Sequence, residues 1–221
     1  MSESATGQAA PLVIYGGTFN PIHYGHLRVA EQVYNLLPNA EIALVPCAVP
    51  PHRQQPEVAA HHRVTMVQLA LAPYPHLTVD AREVERKSTS YTWLTVQELR
   101  QIWPQRAIVL VMGDDAFSGL ASWHEWRAMM AEVNIIVVAR NASGQQEQQQ
   151  LTETWQLTWC ESVAQLQQTP AGGVYRHICP RLEISSSYIR EQLQRQQSCR
   201  FLMPDTVLSY IEQQGLYTTE R

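Results

Sequence analysis

Apolar residues in this chain come mostly as short unbroken runs, and the runs alternate with stripes at helical spacing. Leu12 to Tyr15 is continuous and stops at Gly16-Gly17, as a buried parallel strand does. Leu27, Ala30, Val33, Tyr34 and Leu37 then recur with helical period until Pro38 ends them. The alternation goes on with strands predicted at Ile42–Val45, Leu77–Val79, Ala107–Met112, Val133–Ala139 and Val174–Ile178. Helices are predicted at Val64–Leu71, Trp93–Trp103, Asp115–Leu120, Trp126–Met130, Ser187–Gln194 and Thr206–Gln214. Strands alternating with helices at this spacing predict an α/β fold, a Rossmann-like parallel sheet with helices on both faces. Ligands of such sheets bind beyond the carboxyl ends of the strands.

Two stretches break the pattern. Residues 1–11 are small and polar and read as a disordered arm ahead of one domain over 12–221. Residues 141–173 read as a variable insert, glutamine-rich from Gly144 to Gln150, with a helix expected somewhere over Trp155–Leu166 and a loop at Thr169–Gly173.

Composition mainly excludes. With 221 residues, 45% of them hydrophobic, the chain can bury a core, and a net charge of −4 argues against non-specific nucleic-acid binding. Lys87 is the only lysine among 16 cationic side chains and has no glycine loop before it, so there is no Walker A motif. The four cysteines form no C-x-x-C pair, which leaves neither a zinc site nor a disulfide framework to read. No signal peptide and no apolar run near the ~18 residues of a membrane span is visible, so no membrane partner and a cytoplasmic setting are expected.

The informative string is Gly16-Gly17-Thr18-Phe19-Asn20-Pro21-Ile22-His23-Tyr24-Gly25-His26, where the first strand gives way to the first helix. Paired glycines let backbone approach a ligand, and a following helix start offers N–H groups and a positive dipole end to phosphate. His23 and His26, three apart, share one face of the first turn. A second string, Ile184-Ser185-Ser186-Ser187-Tyr188-Ile189-Arg190, opens a helix with serines that suit N-capping as readily as ligand binding.

Together the two strings resemble the signatures of the H-x-G-H nucleotidylyltransferase superfamily. The resemblance implies ATP binding by Gly16, Gly17, Thr18, Phe19, His23, His26, Gly113, Ser185, Ser187 and Arg190. It implies catalytic roles for His23, His26 and Arg190. Asn20 stands where an aspartate is common, and Ser187 where a threonine is usual.

Three further stretches resemble the nicotinate mononucleotide adenylyltransferases: Pro50-Pro51-His52-Arg53, Ser90-Tyr91-Thr92, and Gly113-Asp114-Asp115 followed by Ser122-Trp123-His124. They imply a mononucleotide site at Asn20, His52, Arg53, Tyr91, Thr92, Asp115, Trp123 and Arg140. In it Asp115 reaches a ribose hydroxyl, Trp123 stacks on the pyridine ring, and amides at the start of the Thr92 helix hold the nicotinate carboxylate. Asn141-Ala142 replaces the Pro-Gly usual after the arginine.

The implied reaction is attack of the 5′-phosphate of nicotinate mononucleotide on the α-phosphorus of ATP. A phosphate monoester with a second pKa near 6 is largely dianionic at neutral pH and needs no general base. His23, His26, Arg190 and helix amides are expected to align the two anions and neutralise charge, with Mg²⁺ carried on the ATP phosphates and no protein metal site. The alternatives are a pantetheine-phosphate adenylyltransferase, which typically lacks the S-Y-T and G-x-D…W set, and a nucleotide-binding regulatory module without turnover.

Overall fold

The computed structural model describes residues 10–49, 56–86, 88–139, 141, 143–180 and 182–218. Its strands form one seven-stranded sheet in the order Leu77–Val79 (β3), Glu41–Pro46 (β2), Leu12–Gly17 (β1), Ile108–Gly113 (β4), Asn134–Ala139 (β5), Gly173–Ile178 (β7) and Thr158–Cys160 (β6), and the fold is the Rossmann-like α/β class expected from the alternation. By contacts the chain divides into two compact units.

The first unit takes in residues up to Gly16, Gln32–Ala43 and Tyr91–Pro180. It holds most of β1 (Leu12–Gly17), the later part of α1 (Tyr24–Leu36) and the start of β2 (Glu41–Pro46). After them come α4 (Thr92–Ile102), β4 (Ile108–Gly113), α5 (Asp114–Ser118), α6 (Trp126–Met130) and β5 (Asn134–Ala139). The unit closes with α7 (Gln145–Thr154), β6 (Thr158–Cys160), α8 (Val163–Gln168) and β7 (Gly173–Ile178). All six residues of β5 and the first five of β4 are buried, the mark of strands covered on both faces. Both pair in parallel, Val109 to Asn134 through Gly113 to Val138, and β4 pairs with β1 from Leu12–Ile108 to Tyr15–Val111. Strand order therefore reverses at β1 and β4, the position where ligands enter open sheets of this kind.

The second unit takes in Gly17–Glu31, Leu44–Ser90 and the chain after Pro180. It holds the start of α1, the end of β2, α2 (Ala60–Leu71), β3 (Leu77–Val79), α3 (Arg82–Arg86), α9 (Ser186–Gln194) and α10 (Asp205–Gln213). Here α10 lies on α2, and Thr206 Oγ1 donates to the Leu69 carbonyl at 3.4 Å.

Three sequence expectations need correction. Of the expected arm, residues 1–9 lie outside the described residues, but Ala10 and Pro11 are tied down. The Ala10 carbonyl accepts from Arg106 Nε at 2.7 Å, and the Pro11 carbonyl accepts from Glu41 N at 3.1 Å. The helix expected over Trp155–Leu166 is instead strand β6 and the short α8. Gln156 takes φ 60, which ends α7, and Trp155 packs against the rings of Phe117 and Trp126 at 5.4 and 5.3 Å. The glutamine-rich stretch is itself a helix, α7, whose buried side chains are Gln148 and Thr152 rather than an apolar stripe.

Candidate active site

His23 and His26 cap the helix they introduce. The Gly25 N–H donates to His23 Nδ1 at 3.1 Å, and the His23 N–H donates back to His26 Nδ1 at 3.3 Å. This is the reciprocal logic of a capping box, with imidazoles where serine and glutamate usually stand. The His23 carbonyl takes the N–H groups of His26 and Leu27, and Tyr24 N donates to the Leu202 carbonyl at 3.0 Å. The amides at the start of α1 are thus engaged within the protein, and it is the imidazoles that stand at this end of the helix. With Nδ1 accepting in both rings, the neutral tautomer carries its proton on Nε2.

The two rings stack at 3.8 Å and 26°, and the Phe19 ring meets His26 edge-on at 5.0 Å. Burial lowers the His23 imidazole from the ordinary 6.5 to about 4. His26 lies well below 6.5, through burial first and the neighbouring His23 second. Burial thus favours the uncharged form of both rings in the ligand-free chain, in which each serves as an aimed N–H group.

Neither Gly16 nor Gly17 has a positive φ; that conformation falls on Phe19, at φ 46, a costly one for a bulky residue. A Cβ on Gly17 would lie 2.8 Å from the Phe19 ring, and one on Gly25 would lie 2.9 Å from His23 Nδ1. Phe19, 2% exposed, is a buried wedge under the motif rather than an open ligand contact.

Arg190, on α9, donates through Nη1 to the Asn20 carbonyl at 2.8 Å and through Nη2 to Ser187 Oγ at 3.3 Å. Asn20, expected on the mononucleotide side, has its own side-chain oxygen engaged by the Tyr217 hydroxyl at 2.6 Å. Tyr217 is buried, and burial raises its phenol. Ser185 is the N-cap of α9 and accepts from Tyr188 N, while Ser186 donates to the Pro21 carbonyl at 2.9 Å. The capping reading therefore holds for Ser185, and Ser187 remains beside Arg190 on the exposed surface.

Sequence reading missed Arg63. It is 1% exposed and donates to three carbonyls: Thr18 at 2.8 Å, Ala48 at 2.9 Å and Val58 at 3.3 Å. It clamps the turn after β1 to the turn after β2, where Cys47 Sγ also meets Thr18 Oγ1 at 3.7 Å. A signal existed, because Arg63 lies on the stripe that buries Met66, Val67 and Ala70. An arginine on a buried stripe has to find polar partners.

The first unit carries the other candidates. Tyr91 is the N-cap of α4 and supplies no side-chain cap, unlike the imidazole-capped α1 and the serine-capped α9. Ser90, which could have capped it, instead accepts from Ala48 N at 2.8 Å in the second unit. The Tyr91 ring lies 4.5 Å from that of His124. Gly113 ends β4 and is the N-cap of α5, with Asp114 and Asp115 in the first turn. Asp115 is exposed, and Trp123 is half-buried where Trp126 is buried. His52, Arg53 and Arg140 lie outside the described residues.

Among the described residues no cluster of three or more His, Cys, Asp and Glu could hold a metal ion, and no helix is long and apolar enough to cross a membrane.

Residues 14–192 match the cytidylyltransferase-like family model. A probable nicotinate-nucleotide adenylyltransferase from Acidithiobacillus ferrooxidans is 44% identical, over 93% of this chain and 95% of its own. The nicotinate-nucleotide adenylyltransferase of Salmonella typhimurium is 36% identical, over 92% and 97%. The structure of Plasmodium falciparum nicotinic acid mononucleotide adenylyltransferase complexed with NaAD superposes with a TM-score of 0.70 at 22% identity, covering 94% of this chain and 97% of that one, a likeness of fold.

Proposed function

The chain belongs to the cytidylyltransferase-like family and, within it, to the nicotinate-nucleotide adenylyltransferases, and from that premise we propose that it transfers the AMP moiety of ATP to nicotinate mononucleotide. The products are nicotinate adenine dinucleotide and pyrophosphate, a step in NAD biosynthesis. The observation that carries the reading is the histidine capping box with Arg190 tied to the same turn, a ready-made set of donors for phosphate oxygens.

In this reading an oxygen of the mononucleotide 5′-phosphate forms the new bond to the α-phosphorus, and the bond from that phosphorus to the bridging oxygen breaks. The bond electrons leave with pyrophosphate. No proton is moved, because the attacking dianion is already deprotonated. His23 and His26 donate Nε2–H groups to phosphoryl oxygens as charge shifts onto them, which is worth most when the donors are preorganised. Arg190, the charged member of the set, takes the β- and γ-phosphates with Ser187, and Gly16, Gly17, Thr18 and Gly113 are assigned to the ATP side.

Asp115 takes the ribose hydroxyls of the mononucleotide, Trp123 stacks on its pyridine ring, and the Thr92 end of α4 holds the nicotinate carboxylate. His52, Arg53 and Arg140 are assigned to the mononucleotide by the resemblance. The donor set of imidazole, guanidinium, hydroxyl and amide suits phosphate oxygens rather than a cation, which fits a Mg²⁺ that arrives on ATP and offsets phosphate charge there. Residues 12–221 form one nucleotidylyltransferase domain in this reading, because β1, α1 and β2 each run from one unit into the other. The four cysteines are free thiols, which suits the reducing cytoplasm.

Pyrophosphate release is the test, with ATP, Mg²⁺ and either nicotinate or nicotinamide mononucleotide. Fast release with the nicotinate form alone is the expected result. Equal rates would remove carboxylate recognition, and no release with either would sink the proposal.

A further inference from the structure

The glutamine-rich helix α7 buries polar side chains, and Arg176 explains why. Arg176, on β7, has a side chain only 3% exposed. Its Nε donates to Gln148 Oε1 at 2.7 Å, its Nη1 to the Asn141 carbonyl at 2.8 Å, and its Nη2 to the Ser143 carbonyl at 2.7 Å. Nη2 also lies 3.5 Å from Asp114 Oδ1, and Gln148 Nε2 donates to that same oxygen at 2.8 Å. One guanidinium and one amide thus join four places in the first unit: β7, α7, the turn after β5, and the first residue of α5. Asn141 tightens that turn further, accepting from both the backbone N–H and the hydroxyl of Ser143.

The geometry points to Arg176 and Gln148 as positioning residues for the mononucleotide end of the site, an inference that rests on the function proposed above. Gly113 and Val138 are register partners, so Asp114 and the turn at Asn141 follow the carboxyl ends of adjacent parallel strands. Asp114 precedes Asp115, the exposed carboxylate assigned to the ribose. With its own carboxylate held by Gln148 and Arg176, Asp114 sets the first turn of α5, and with it the direction in which Asp115 leaves the sheet. The same guanidinium holds the carbonyls of Asn141 and Ser143, so the segment after β5 is tied to β7 by side-chain hydrogen bonds. A buried polar network with this many partners rigidifies what it joins, and a supporting shell is what keeps binding groups within a fraction of an ångström of their places.

Arg176→Lys tests this mildly, since an ammonium keeps the charge but cannot span the four acceptors. Gln148→Met is the companion variant and leaves the two carbonyl contacts of Arg176 in place. Hydrogen exchange reads the lock directly. In both variants the α5 amides should exchange about tenfold faster while β4 amides stay protected. In activity, KM for nicotinate mononucleotide should rise about tenfold and KM for ATP stay within about twofold, the size expected when a binding group loses its exact placement. Unchanged α5 exchange overturns the inference. So does faster exchange with no change in KM for the mononucleotide, or a parallel rise in both KM values that follows a lowered melting temperature. If the wild-type protein does not turn over nicotinate mononucleotide, the proposed function falls, and α5 exchange still decides whether the lock exists.

Discussion

The guanidinium of Arg190 reaches back across 170 positions of sequence to the main-chain oxygen of Asn20, 2.8 Å away. The two signature strings are therefore joined by a hydrogen bond before any ligand arrives. One nitrogen holds the turn at Asn20 and the other rests 3.3 Å from Ser187 Oγ. Lysine keeps the charge but has no planar fork to share between a carbonyl and a phosphate. Arg190→Lys should cost about 1–3 kcal/mol in kcat/KM for ATP, the range of charge-assisted hydrogen bonds. Arg190 is half-exposed, so the melting temperature should hardly move. A kinetically normal variant would leave the histidine turn as the only supported phosphate group.

Gly25→Ala separates helix propensity from ring placement. Alanine is the better helix former by about 1 kcal/mol. Its Cβ, however, would stand 2.9 Å from both Cε1 and Nδ1 of His23, so the ring has to leave the Gly25 N–H. The expected protein is folded and unfolds at or near the wild-type temperature, yet kcat falls by roughly 10²-fold, as when one preorganised donor is lost. Unchanged kcat would mean that His23 placement is irrelevant to the chemistry.

Acid should destabilise the fold through the same residue. Burial depresses the folded pKa of His23 to about 4 from 6.5, so between those values the unfolded chain binds more protons. Stability is therefore present above pH 6.5 and lost as pH falls toward 4, by about 3 kcal/mol for this one group. Urea unfolding from pH 4.5 to 7.5 should show this slope in the wild type and a shallower one in His23→Gln. The kcat/KM profile carries a matching signature. It should not decline as pH rises from 6.5 to 8, because neither histidine holds a proton to lose there.

Two tryptophans three residues apart should behave oppositely. Trp123 is half-buried, whereas Trp126 is 8% exposed and packs 5.3 Å from the Trp155 ring. Trp123→Ala should raise KM for nicotinate mononucleotide roughly ten- to a hundredfold, the worth of one ring stack, with little change for ATP. Trp126→Ala should lower stability by about 3–5 kcal/mol, as loss of a core ring does. Unfolding caused by Trp123→Ala would reassign it to the core.

The strands were legible because a strand covered on both faces is written as an unbroken apolar run, and Ile135–Ala139 and Ile108–Met112 are such runs. Most helices were legible for the matching reason, an apolar stripe closed by proline or opened by serine. Helix α7 was not, since the side chains it buries are Gln148 and Thr152, and no period of apolar residues records a buried face whose partner is an arginine. The expected helix over Trp155–Leu166 failed in the opposite sense. Its apolar residues belong to an edge strand, a turn at Gln156 and a short helix, each packed against a different neighbour.

By itself, the sequence determined which groups could meet phosphate. H-x-G-H at a strand-to-helix turn and the Ser187–Arg190 pair leave few other chemistries open, because residue type and local spacing are properties of the chain alone. Tertiary structure decided how those groups are held. Both imidazoles are shifted toward the neutral form because burial removes the water that would stabilise their charge. Their outer nitrogens carry the protons because backbone N–H groups occupy the inner ones. Arg63 became a clamp and Arg176 a lock only when carbonyls distant in sequence came within 3 Å. Burial and long-range hydrogen bonding depend on which segments meet in space, and no local pattern of residues encodes that.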